Sequence, residues 1–191
     1  ETAFNAAGRY QGRIDSPLTP RGQRQAEHAA RLLATVGPAG PVAEIRVSPL
    51  GRAWATARIV AAHLGDPPVV EDPRLIEISM GRWDGLTRAG IEAACPSVRR
   101  RHPGQRWMFE APEGERLAGV VLRVSEALAA AAARPGPVVL VGHGIAGRLM
   151  RGLHRGLTPE AALLLEMRQG EVYRLDEGGA EEALSGGGAL P

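Results

Sequence analysis

Apolar residues recur along this chain at helical spacing in some stretches and as short unbroken runs in others, and the two patterns alternate. Ala26, Ala29, Ala30, Leu32, Leu33 and Val36 follow Thr19-Pro20, an N-cap and first helical position, and the series stops at Gly37-Pro38. Ala43 to Val47 reads as a short strand. Ser48-Pro49-Leu50 turns it into a second helix carrying Ala53, Ala57, Val60, Ala61 and Leu64 up to Gly65, and Val69-Val70 reads as a brief strand. A longer helix is predicted from Glu113 to Ala133, with Leu117, Val120, Val121, Val124 and Leu128 on its apolar side. Pro137 to Val141 is a continuous apolar run, the pattern of a strand buried on both faces. A helix from Ile145 to His154 follows it, and Thr158-Pro159 starts a short one. Leu163 to Arg168 and Glu171 to Leu175 flank Gln169-Gly170 as a hairpin or sharp reversal. The Gly-rich, acidic stretch 177–191 is expected to be disordered. Strands alternating with helices predict a three-layer α/β/α sandwich around a mostly parallel sheet, one domain over residues 1–176. In such sheets ligands gather at the carboxyl ends of the strands.

A chain of 191 residues with 44% hydrophobic content suffices for one sizeable core and is too short for two ordinary domains and a linker. All 23 basic residues are arginine, which explains how a formal charge of +2 coexists with a pI near 9.3. That usage matches the coding bias of a GC-rich bacterial genome, and so small a net charge argues against a nucleic-acid partner. Cys95 is the single cysteine, so no internal disulfide and no Cys/His zinc cluster is indicated, and a reducing cytoplasm is the expected setting. No apolar run reaches the ~20 residues needed to span a bilayer, so no membrane partner is expected.

Two strand ends carry suitable chemistry. Ser48-Pro49-Leu50-Gly51-Arg52 places a planar five-donor guanidinium in the first turn of a helix, where it suits phosphate oxygens. Gly142-His143-Gly144 places a histidine near the next helix's N-terminus, between glycines that let a ligand approach the backbone. In Leu75 to Gly85, Glu77 is flanked by Ile76 and Ile78, and partial burial there would suit a general acid. Each has a plainer reading alone: an ordinary helix start, a tight turn with a satisfied histidine, and a solvated glutamate in a loop anchored by Trp83. Arg99-Arg100-Arg101-His102 reads as a solvated charge cluster, and Trp83 and Trp107 as packing residues.

In order, these segments resemble the histidine phosphatase superfamily, also called phosphoglycerate mutase-like, in its phosphatase branch. The resemblance rests on Glu1-Thr2 with Asn5, Gln11-Gly12-Arg13-Ile14-Asp15-Ser16-Pro17-Leu18-Thr19, Ser48 to Ala57, Leu75-Ile76-Glu77 with Gly81 to Gly85, and Gly142-His143-Gly144. It implies that Arg52 clamps phosphate, that His143 stabilises the transferring phosphoryl group, and that Glu77 protonates the leaving oxygen. Asn5, Gln11, Gly12, Arg9 and Gly144 are the implied phosphate or substrate contacts. The phosphate-accepting histidine would stand two residues before Glu1, at the end of a strand in the middle of the sheet, so an interrupted strand ladder is expected. Asp84 stands where glutamate is commoner, Arg116 where a helix-starting serine is commoner, and Gly51 is expected to loosen the turn before Arg52. The implied function is hydrolysis of a small phosphorylated metabolite through a phosphohistidine, with no metal ion and no cofactor; inorganic phosphate is a further ligand and a homodimer is admitted. The short segment between Trp83 and Pro112 favours hydrolysis. The alternatives are a phosphoglycerate mutase-type phosphotransferase and a non-catalytic phospho-ligand-binding member.

Overall fold

The computed structural model describes residues 1–38, 40–102 and 104–184. Its elements run α1 (Ala3–Ala6), α2 (Pro20–Val36), β1 (Glu44–Val47), α3 (Gly51–His63), β2 (Val69–Glu71), α4 (Arg88–Ala94) and α5 (Val98–Arg101). They continue with α6 (Leu117–Ala132), β3 (Val138–Val141), α7 (Gly144–His154), α8 (Pro159–Ala162), β4 (Val172–Asp176) and β5 (Ala180–Leu184). Three parallel strands lie in the order β2-β1-β3, with Ile45 opposite both Val69 and Val139. Side chains alternate across this sheet, which gives it two apolar faces. Ile45, Val47 and Val141 pack with Ala30 of α2 and Ala53, Ala57 and Val60 of α3. Leu140 packs on the opposite side with Val120 and Val124 of α6 and Ile145, Ala146 and Leu149 of α7. The fold is thus the expected α/β architecture around a mostly parallel sheet. Among the described residues, no helix is long and apolar enough to cross a membrane.

Four sequence expectations need correction. β3 is not buried on both faces: Val138, Val139 and Leu140 are half-buried, because β3 is the edge of its sheet and, among the described residues, pairs only with β1. β4 pairs with β5 as a separate antiparallel hairpin. The long helix starts at Leu117 rather than Glu113, whose φ of 62° lies in the left-handed region. Its neighbour Glu115 donates its N–H to Ser79 O at 2.9 Å, so this polar stretch docks as a turn before the apolar period begins.

Leu163 to Arg168 forms no strand. Arginine side chains of α7 consume its carbonyls: Arg148 Nε donates to Leu165 O at 2.8 Å and Arg151 Nη1 to Glu166 O at 2.6 Å. The chain still reverses sharply at Gln169-Gly170, as expected, with Glu171 N–H donating to Arg168 O at 3.4 Å and Gly170 at φ of 85°, but the hairpin forms downstream, turning at Glu177–Gly179 with Gly178 and Gly179 at φ of 81° and 85°. Residues expected to be disordered from Glu177 onward instead supply this turn and β5; the rest of that stretch, 185–191, lies outside the described residues.

Candidate active site

The strand ends deliver their side chains to one cleft. β1 ends at Val47, and Ser48 joins it to the end of β3 by an N–H bond to Val141 O at 3.0 Å. Arg52 then leaves the first turn of α3 and crosses beneath the loop Gly12–Asp15. Its Nη2 donates to Gly12 O at 2.8 Å, and its Nη1 donates to Ile14 O at 2.9 Å and Asp15 Oδ1 at 3.2 Å. Burial pushes this guanidinium down from its ordinary range, against the pull of Asp15 and Glu77. Gly12 makes the arrangement possible, with φ of 53° and no room for a side chain: a Cβ there would lie 1.7 Å from Asp84 Oδ1. Gly51 serves space rather than flexibility, since a Cβ on it would meet Asp15 Oδ2 at 2.4 Å.

His143 closes β3 and is the N-cap residue of α7, its carbonyl accepting from Gly147 N–H at 2.8 Å. Its Nε2 lies 2.7 Å from Ser48 Oγ. One side of the ring opens to the cleft while the rest lies deep in protein, and burial, with the Arg52 and Arg123 charges, pushes the imidazole down to about 3. Glu77 faces it from the loop after β2. Its Oε2 accepts Ile145 N–H and its Oε1 accepts Ala146 N–H, both at 3.1 Å, so the carboxylate caps α7. Oε1 also accepts its neighbour Ile78 N–H at 3.0 Å. Gly144 sits between these groups, and a Cβ on it would come within 3.7 Å of Glu77 Oε2.

The remaining candidates divide. Gln11 and Gly12 share the loop that Arg52 holds, with Gln11 Oε1 accepting Ser16 Oγ at 2.8 Å. Asn5 is exposed; its Oδ1 completes a capping box with Thr2 and accepts Gln169 Nε2 at 2.9 Å. Arg9 is exposed, donating to Gly85 O at 2.9 Å with its guanidinium over Phe4. Among the described residues neither bonds to Arg52, His143 or Glu77. Trp83 and Trp107 are buried in the core, as expected. Arg100 and Arg101 are exposed, whereas Arg99 stacks over Trp107, its guanidinium 5.2 Å from the ring centre.

One group escaped sequence reasoning. Arg123 of α6 donates through Nη1 to Arg74 O and Ile76 O at 2.7 Å each, fixing the backbone just before Glu77. Glu115 holds Arg123 through both carboxylate oxygens at 2.8 and 3.0 Å, and also accepts Arg13 Nη2 at 3.1 Å. Arg13 Nε reaches Glu77 O at 3.4 Å. Arg13 and Glu115 lie within motif stretches without an assigned role, and only the polar position of Arg123 within an apolar helix hinted at that residue.

Arg52 follows β1 and His143 follows β3, while Glu77 caps the helix that His143 begins, so three groups suited to a phosphate lie close together in an α/β fold. The sequence model of the Histidine phosphatase superfamily (branch 1) matches residues 1–186, and the chain belongs to that superfamily. It is 34% identical to "Probable phosphoglycerate mutase GpmB" of Enterobacter sp. (strain 638) over 92% of this chain and 80% of the relative. Among solved structures it resembles Bacillus stearothermophilus YhfR, at 31% identity and a TM-score of 0.78, over 96% of this chain and 90% of that one. It also resembles a mycobacterial glucosyl-3-phosphoglycerate phosphatase, at 30% identity and a TM-score of 0.72, over 87% and 83% of the two chains.

Proposed function

We propose that this protein is a phosphomonoester hydrolase that acts on a small phosphorylated metabolite through a phosphohistidine intermediate, without a metal ion. The observation that carries the reading is the convergence of Arg52, His143 and Glu77 around the N-terminus of α7. In this reading the phosphoryl oxygens take donors from Arg52 and from neutral His143, whose low pKa leaves one ring N–H to donate and no charge to neutralise. A histidine nitrogen attacks phosphorus as the ester P–O bond breaks, and Glu77 gives its proton to the departing oxygen. Water then attacks the phosphohistidine with the carboxylate as base, which returns the proton to Glu77.

A phosphoglycerate mutase-type phosphotransferase is the second reading, favoured by the name of the GpmB relative. Turnover of p-nitrophenyl phosphate and of 3-phosphoglycerate by the polypeptide expressed from its native gene, with chelator present and the phosphoenzyme trapped by alkaline quench, tests both. Hydrolysis with an acid-labile, base-stable phosphoenzyme is expected. Interconversion of phosphoglycerates without phosphate release would favour the mutase. Phosphate binding with neither turnover nor phosphoenzyme would overturn the catalytic reading in favour of a phospho-ligand-binding member.

A further inference from the structure

Glu77 stands between the single turns Pro73–Leu75 and Gly81–Trp83, so neither an α-helix nor a strand holds its backbone. One polar cluster holds it from outside. Arg123 Nη1 donates to Arg74 O and Ile76 O at 2.7 Å each, Arg13 Nε donates to Glu77 O at 3.4 Å, and Glu115 N–H donates to Ser79 O at 2.9 Å. The carbonyls of residues 74, 76, 77 and 79 therefore all end on three residues that bind one another. Glu115 accepts Arg123 Nε at 2.8 Å and Nη2 at 3.0 Å on separate oxygens, and Arg13 Nη2 at 3.1 Å. The Arg123 and Glu115 side chains are only 14% and 18% exposed, so this forked pair is sheltered from the screening that weakens a surface ion pair.

The grip matters because of where Glu77 points. Its two oxygens meet Ile145 and Ala146 N–H at the start of α7, beside His143. A general acid works only within hydrogen-bond reach of the oxygen it protonates, and a displacement of about 1 Å can cost ~10²-fold in rate. A glutamate on an unsupported loop has no such precision; fixing its backbone on both sides supplies it. Arg123 makes four N–H bonds to these partners, out of the five donors a guanidinium carries, so it is occupied by the loop and Glu115 rather than kept for an anion.

We propose that Arg123, locked by Glu115, is a positioning residue that holds Glu77 where it protonates the leaving oxygen, so that its loss weakens the chemical step and spares phosphate binding. This rests on the assignment of Glu77 as the acid in the hydrolase reading. The test compares phenyl phosphate with p-nitrophenyl phosphate, esters of similar shape whose leaving groups differ in their need for a proton, on the polypeptide expressed from its native gene. Glu77→Gln should lower kcat/KM at least about 10-fold more for phenyl phosphate than for p-nitrophenyl phosphate. Arg123→Met should show the same split at about fivefold, with affinity for inorganic phosphate within about threefold of wild type. Arg123→Lys keeps the charge without the fork and should recover part of the loss; full recovery would assign the effect to charge alone and overturn the proposal. Should Arg123→Met not fold, Glu115→Gln, which loosens the lock, should give a smaller split of the same sign. The amide NMR signals of Ile145 and Ala146 report the Glu77 carboxylate with or without turnover, and should shift in Arg123→Met or in Glu115→Gln. An equal loss for both esters beside a clear split in Glu77→Gln, or unmoved amides, would overturn the positioning role alone. No split in Glu77→Gln would refute the acid assignment, and this role with it. If the wild type hydrolyses neither ester the hydrolase reading fails, and the two amides decide whether Arg123 positions Glu77.

Discussion

Arg52 at the cleft and Arg151 beneath the C-terminal hairpin are buried to nearly the same extent, 7% and 8% exposed, yet their guanidinium groups are satisfied in opposite ways. Arg151 has a full counter-charge: Nε and Nη2 donate to Glu181 at 2.9 and 2.7 Å, and the group stacks 3.4 Å from the Tyr173 ring centre. Burial is the largest single influence and opposes its charge, but Glu181, Tyr173 and Glu171 together outweigh it and raise its pKa. Arg52 rests mainly on the carbonyls of Gly12 and Ile14, with Asp15 half in solvent, and burial wins there. A buried arginine clamped by a carboxylate holds structure together, whereas one seated on carbonyls keeps charge in reserve for an anion.

That contrast can be broken from either end. Glu181→Gln should cost about 3–5 kcal/mol of stability, because it strands a buried guanidinium, and urea unfolding would show it. Turnover of the folded fraction should stay near wild type; a large fall in kcat with stability unchanged would reverse the two roles. Arg52→Gln should do the opposite, lowering kcat/KM about 10²–10³-fold with a modest change in midpoint. Gly12→Ala forces a left-handed φ on a residue with a side chain and drives that side chain into Asp84, so it should cost about 1–3 kcal/mol and displace Arg52 from the Gly12 carbonyl. A variant with native stability and full phosphate affinity would show that the loop does not position Arg52.

A further effect is in the pH dependence of stability. His143 stays neutral in the folded chain down to about 3, whereas in the unfolded chain it titrates near 6.5. Below about pH 6.5 the unfolded state binds a proton that the folded state does not, so stability falls as pH drops toward 3. His143→Gln should flatten that slope in urea midpoints measured between pH 7 and pH 4. An identical slope would mean that the folded imidazole titrates normally.

Local chemistry made much of this legible in the sequence. Thr19-Pro20 and Thr158-Pro159 mark helix starts that the structure keeps, because capping depends on neighbours in the chain. Arg52 and His143 were readable because strand ends place them and motifs mark them, and Glu77 because a motif marks it. The hairpin escaped because the Leu165 and Glu166 carbonyls are taken by Arg148 and Arg151 from a helix distant in sequence. Sequence periodicity carries no trace of such a side-chain-to-backbone bond. Arg13, Glu115 and Arg123 escaped for the same reason, since their side-chain bonds to the backbone of the Glu77 loop span 47 to 64 positions along the chain.

The central claim is that Arg52 and its carbonyl seat form an anion site with His143. Titration of inorganic phosphate into wild type and Arg52→Gln, followed by calorimetry alongside the His143 imidazole NMR signals, tests it most directly. The account predicts saturable binding by the wild type that shifts the His143 resonances, and at least about 10-fold weaker binding by Arg52→Gln. Equal affinity in the two proteins, or binding that leaves the His143 signals unmoved, would contradict it.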